Sequence, residues 1–131
     1  MKLTHTIIYV RSVEKTCEFY AEAFGLTKGF MTPEGDYGEM ETGETKLSFA
    51  SVELAHQNLP GGFRENRADE LPSGFEVAFE VEDVQEAWNI AIRAGATPYG
   101  KPTQKPWGQI TGYVRDPEGL LIELGSRIEK P

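Results

Sequence analysis

Between residues 3 and 10 the chain alternates: Leu3, His5, Ile7 and Tyr9 fall on one side, and Thr4, Thr6, Ile8 and Val10 on the other. This is the period of two expected of a strand. The period then changes. Ser12 stands as an N-cap, and Val13, Cys17, Tyr20 and Phe24 recur at helical spacing with Phe19 and Ala23 beside them, until Gly25 supplies the C′ residue. Three more strands are predicted over residues 27–32, 37–41 and 45–51, separated by the turn signals Pro33-Glu34-Gly35-Asp36 and Thr42-Gly43-Glu44. Residues 1–51 thus read as a βαβββ module.

The same grammar returns after residue 73. Over residues 74–82 Phe75, Val77, Phe79 and Val81 alternate with Glu76, Ala78 and Glu80, a strand with one face on a core and a carboxylate on the other. Asp83 and Glu86 form a capping box that opens a helix whose apolar side carries Val84, Ala87, Trp88, Ala91 and Ala94, and Gly95 closes it. Strands follow over residues 97–100, 109–115 and 120–126, the last two joined by the type I turn Asp116-Pro117-Glu118-Gly119. The stretch between the modules, residues 52–72, holds a Gly pair, two prolines and both signs of charge, and reads as a linker. Its Arg64 and Arg67 either reach an anionic ligand or pair with Asp69 and Glu70, the second being the ordinary role of exposed charges. The expected fold is α+β: one domain over residues 1–131, with tandem βαβββ modules at about 1–51 and 73–128 forming a curved, cavity-enclosing mixed sheet with helices outside.

The two modules superimpose. Shifted by 71 positions, Val10 falls on Val81, Val13 on Val84 and His5 on Glu76; shifted by 75, residues 46–51 fall on residues 121–126 and Ser48 on Glu123. A repeated supersecondary unit brings equivalent positions into equivalent places. In each of these four strands the marked residue lies opposite the apolar face, so His5, Ser48, Glu76 and Glu123 are expected on the concave side. An imidazole and two carboxylates converging in a cleft call for a counter-charge, and a divalent metal supplies it. Taken singly, each would be an unremarkable polar residue on a strand.

Composition excludes more than it assigns. The chain has 131 residues, 39% hydrophobic and 26% charged, ordinary for a globular domain. Its net charge of −8 comes without any run of Lys or Arg, which argues against nucleic acid or an anionic membrane as partner. No segment resembles a signal peptide or a spanning helix, and a cytoplasmic location is expected. The one cysteine, Cys17, sits on the helix stripe and is expected to be a small core residue.

His5 near the start of the first strand, the helix ending Ala23-Phe24-Gly25-Leu26, the run GFEVAFEVEDV into the second helix, Ala94-Gly95-Ala96, and RDPEGLLIEL over residues 115–124 together resemble the vicinal oxygen chelate superfamily, which contains glyoxalase I and the bleomycin-resistance proteins. The resemblance spans essentially the whole chain. It implies metal ligands at the first and last strands of each module, here His5, Glu76 and Glu123, with Ser48 a poor ligand at the remaining position and Glu76 where many members have His. It implies a divalent ion, Zn, Ni, Co, Mn or Fe, and lyase or isomerase chemistry on a small α-hydroxycarbonyl or thiohemiacetal substrate, with Glu76 or Glu123 as general base. Tyr9, Ser48, Trp107 and Gln109 are the expected substrate contacts, and a homodimer the expected assembly. The alternative is a bleomycin-resistance-type protein that sequesters a small molecule without chemistry.

Overall fold

The computed structural model describes residues 1–129. The chain divides into two compact units, the first Met1–Asn66 and the second beginning at Arg67. Unit 1 contains β1 (His5–Val10), α1 (Val13–Phe24), β2 (Thr27–Met31), β3 (Tyr37–Glu41), β4 (Lys46–Ser51) and α2 (Val52–Asn58). Unit 2 contains β5 (Val77–Glu80), α3 (Val84–Ala94), β6 (Thr97–Gln104), β7 (Ile110–Arg115) and β8 (Leu121–Gly125). Each unit builds a four-stranded mixed sheet of the same topology, β1-β4-β3-β2 and β5-β8-β7-β6. First and last strands pair in parallel and the remaining pairs are antiparallel. The α+β expectation of tandem βαβββ modules is met.

The caps act as the sequence implies. Ser12 accepts the Lys15 N–H at 3.3 Å and Asp83 the Glu86 N–H at 3.1 Å, each satisfying a donor that the first helical turn leaves unpaired. Gly25 ends α1 at φ 68°, a conformation that costs a residue with a Cβ. Core packing is led by the strand faces opposite His5 and Glu123. Ile8, Val10, Leu47 and Phe49 join Val13, Cys17 and Tyr20 of α1, and Ile122, Leu124 and Val114 join Val84 and Ala91 of α3. Each sheet also leaves a gap for its helix. A Cβ on Gly38 would lie 3.0 Å from Cys17 Sγ and 3.1 Å from Val13 Cγ1, and one on Gly112 would lie 3.1 Å from Trp88 Cδ1. These two glycines set how closely helix and sheet approach.

Several expectations are corrected. The strand read over residues 74–82 is only Val77–Glu80, so Glu76 stands one residue outside it, and Phe75, read as core-facing, is 45% exposed. Alternation there continues past the end of the partner β8, whose pairing begins at Val77 opposite Ile122. Residues 52–58, read as linker, form α2, capped by Ser51, which accepts the Leu54 N–H at 3.1 Å. Seven residues without Gly or Pro suffice for two turns but are too few to show periodicity. The sixth strand runs on to Gln104.

The later part of the connection is held down by Arg115. Its buried guanidinium donates to the carbonyls of Gly119, Arg67, Ala68 and Glu70 at 2.7–3.2 Å, a fork that lysine lacks. Arg67 thus contributes its backbone carbonyl to this clasp.

Substituting Gly38→Ala is expected to destabilise the protein by about 1–3 kcal/mol, because α1 must withdraw or distort. Gly61→Ala meets no atom within 4 Å and is expected to be neutral or slightly stabilising. Urea unfolding checks the pair, and an unchanged Gly38→Ala midpoint would show that the approach of α1 is not set there.

Candidate functional site

In unit 1, β1 and β4 run parallel with Ile7 opposite Ser48, which puts the His5, Ile7 and Tyr9 side chains on the same face as Ser48. The antiparallel neighbour β3 places Glu39 opposite Ser48 on that face. A chain of polar contacts results. His5 Nε2 lies 3.0 Å from Glu39 Oε2, and the Tyr37 hydroxyl lies 2.7 Å from the same oxygen and 3.0 Å from Ser48 Oγ. Tyr37 has one proton, which belongs on the carboxylate, so the Ser48 hydroxyl donates into the phenol oxygen. The Tyr37 hydrogen bond, with smaller help from His5 and Lys46, holds Glu39 below the ordinary carboxylate range against the opposing effect of burial. Glu39 therefore accepts, and the His5 Nε2–H donates to it. His5 Nδ1 in turn accepts from Thr4 Oγ1 at 2.9 Å.

The predicted Ser48 is fully buried and reaches His5 only through Tyr37 and Glu39. Tyr9 is half-buried and meets Phe63 edge-on, with ring centroids 4.8 Å apart, while the His56 ring stacks on the same Phe63 at 4.3 Å. This aromatic group places part of the connection over the end of β1.

In unit 2 the corresponding face carries Glu123, opposite Ala78 on β5 and Tyr113 on β7. The Tyr113 hydroxyl donates to Glu123 Oε1 at 2.9 Å. Burial, then that hydrogen bond and the charges of Glu123 and Glu76, push Tyr113 up to about 12. Glu76 itself is raised, first by burial and then by the charge of Glu123, so two of the predicted residues feel one another across the β5–β8 pair. Glu123 and Gln109 line a cleft of about 370 Å³ together with Ala78, Glu80, Gly125 and Ser126. The Gln109 amide is engaged at both ends: Nε2 donates to the Ser126 carbonyl and Oε1 accepts from Trp107 Nε1, both at 2.9 Å. Trp107 is 62% exposed on the turn before β7.

Known proteins resemble this chain in sequence and in fold. The family model described as the Glyoxalase/Bleomycin resistance protein/Dioxygenase superfamily matches residues 2–124. The chain belongs to this superfamily. Among its relatives, the uncharacterized protein YraH of Bacillus subtilis (strain 168) is 30% identical over 125 residues, 95% of this chain and 97% of its own. A lactoylglutathione lyase of Neisseria meningitidis is 30% identical over 134 residues, covering 95% of this chain and 89% of that protein. In fold, the crystal structure of a glyoxalase-related enzyme from Fulvimarina pelagi matches with a TM-score of 0.83 at 20% identity, over 97% of this chain and 88% of that one.

Members of the glyoxalase superfamily commonly use divalent metals, and the donor set here can be tested against such an ion. The types fit: imidazole nitrogen and carboxylate oxygen suit first-row divalent ions, and Glu76 and Glu123 repel one another in a way a cation relieves. The number falls short. Among the described residues no group of three or more His, Cys, Asp or Glu is placed to hold a metal ion. Unit 1 offers His5 beside Glu39, and unit 2 offers Glu76 near Glu123, two donors each.

Sequence reasoning missed Glu39, Tyr37 and Tyr113. Alternation along residues 37–41 does put Tyr37, Glu39 and Glu41 on one face, but only the β3–β4 register shows that Glu39 lands beside Ser48 and within reach of His5.

Tyr113 gives a titration to check. Its proton is held more tightly in the folded than in the unfolded chain, so its contribution to stability is complete below pH 10 and is lost as pH rises towards 12. Absorbance near 295 nm should show tyrosine ionisation extending towards pH 12, with Tyr37 also raised, and Glu123→Gln should bring the Tyr113 step down. A tyrosine titration unmoved by Glu123→Gln would refute the assigned cause.

Proposed function

We propose that the protein is a glyoxalase-type lyase or isomerase acting on a small substrate with two adjacent oxygens, an α-hydroxycarbonyl compound or a thiohemiacetal. His5, Glu76 and Glu123 are the proposed ligands of a divalent ion, Zn, Ni, Co, Mn or Fe. The observation that carries this reading is the placement of Glu123: a carboxylate on the sheet face away from the helix, steered by the Tyr113 hydroxyl at 2.9 Å, lining a cleft, with a second carboxylate near it. Such a pair can take a proton from a carbon next to a carbonyl and return it to the neighbouring carbon. A bound divalent ion would supply Lewis-acid polarisation of the substrate's paired oxygens. Tyr9, Trp107 and Gln109 are the proposed substrate contacts, and Ser48 acts through Tyr37. The names of the Neisseria relative and of a 28% identical Synechocystis protein, a probable lactoylglutathione lyase, make the adduct of a 2-oxoaldehyde with glutathione the first substrate to try. The reading includes a cytoplasmic homodimer.

One observation favours a second reading, a bleomycin-resistance-type protein that binds a small molecule without chemistry. No three potential ligands are grouped among the described residues. The two readings part on metal. Protein purified without a metal-binding tag is expected to carry, or to take up, about one divalent ion per site, to lose it in Glu123→Gln, and to lose adduct turnover on chelation. A wild type that cannot be loaded with any of these ions, yet binds small molecules equally well after chelation and after His5→Ala, would establish the second reading instead.

A further inference from the structure

The turn between β6 and β7 holds an exposed tryptophan more firmly than a solvent-facing side chain requires. Its backbone is closed twice: the Lys105 N–H donates to the Gln109 carbonyl at 2.7 Å and the Gly108 N–H to the Lys105 carbonyl at 2.9 Å. Pro106 fixes the first corner, and Gly108, at φ 94°, takes the left-handed position that a residue with a Cβ resists. Trp107 is then tied by its side chain. Its Nε1–H donates to Gln109 Oε1 at 2.9 Å, and Gln109 Nε2 donates in turn to the Ser126 carbonyl at 2.9 Å. Gly125 leaves the room for this amide, since a Cβ there would lie 2.9 Å from Gln109 Nε2. The indole is thus anchored by its one polar atom, through a residue of the cleft wall, while 62% of its surface stays open. The other tryptophan, Trp88, is half-buried, with its ring against Gly112 and its N–H on the Tyr113 carbonyl at 3.0 Å.

We infer that Trp107 is a stacking face for a planar ring on the substrate, and that Gln109 is a positioning residue which holds that face at the edge of the Glu123 cleft. The inference rests on the reading that places substrate at this cleft, and it names the substrates the cleft favours: those with an aromatic ring next to the two adjacent oxygens. Three features support it. The Gln109 amide spends its oxygen on Trp107 and an N–H on the Ser126 backbone, a use of both ends that orients the indole. An aromatic side chain whose rotamer is already fixed loses little entropy when a ring stacks on it, and the stacked pair gains beyond the area it buries. Ile128, also exposed, lines the same cleft as an apolar neighbour, while Glu80 and Glu123 line it with carboxylates, so the ring and the oxygens of a substrate meet different chemistry.

The test compares α-hydroxyacetophenone with hydroxyacetone, which present the same adjacent oxygens and differ in carrying a phenyl ring or a methyl group. Dissociation constants are measured by ligand-observed NMR, with and without added Zn²⁺, for the wild type, Trp107→Ala, Trp107→Phe and Gln109→Leu, each checked for folding by circular dichroism. Trp107→Ala is expected to weaken α-hydroxyacetophenone about five- to tenfold and to leave hydroxyacetone within about twofold, while Trp107→Phe keeps most of the difference. Gln109→Leu is expected to weaken the phenyl compound by a smaller factor, about threefold, and to shift the Trp107 indole N–H resonance and speed its exchange with solvent while that of Trp88 stays in place. Equal losses for both compounds in Trp107→Ala, or none for either, would overturn the inference, as would a Trp107 resonance unmoved by Gln109→Leu. A wild type that binds hydroxyacetone but gains nothing from the phenyl ring would overturn it and leave the reading of the cleft standing. A wild type that binds neither compound would overturn both.

Discussion

The constraint on which each half of this protein depends is the parallel pairing of its first strand with its last. A parallel pair cannot be closed by a tight turn, so the chain must leave β1, cross a face of the sheet as α1, and come back through β2 and β3 before β4 can dock. The crossover covers one face with a helix and leaves the other for polar residues. Gly38 and Gly112 bring helix and sheet together closely enough for that covered face to pack. The residues of the candidate site fall on that other face.

On that other side the two units solve one electrostatic problem differently. In unit 2 Glu76, at the entry to β5, is raised by burial and by the charge of Glu123, whose own carboxylate accepts the Tyr113 hydroxyl. In unit 1 the Glu39 carboxylate has two donors, Tyr37 and His5, and stays ionised at lower pH. A pair of repelling carboxylates and an ionised carboxylate bonded to an imidazole are both arrangements that a cation would stabilise. In both units a tyrosine hydroxyl donates to the carboxylate, but from non-equivalent positions: Tyr37 reaches Glu39 along β3, whereas Tyr113 reaches Glu123 across the β7–β8 pair.

The connecting segment shows how far a loop reading can go astray in detail while its general place is right. Its first part coils into α2 because Ser51 caps it and no breaker precedes Pro60. Its middle lays Phe63 against Tyr9 and His56. Its last part is pinned through backbone carbonyls by Arg115, a residue that sequence pattern alone marks only as the end of a strand. None of these contacts has a periodicity to betray it, since each joins one particular residue to another distant in sequence.

What the sequence by itself determined is the repeated βαβββ order, the helix caps, and the strand faces on which His5, Ser48 and Glu123 stand, because local periodicity and turn chemistry depend only on neighbours along the chain. It also carried the family, through motifs spread over the whole chain. What only the tertiary structure decided is register: that β3 docks with Glu39 opposite Ser48, that β7 docks with Tyr113 opposite Glu123, and that β8 pairs β5 no earlier than Val77. A strand's alternation says which residues share a face and is blind to how far it slides along its neighbour, and that slide placed a glutamate three ångströms from the histidine.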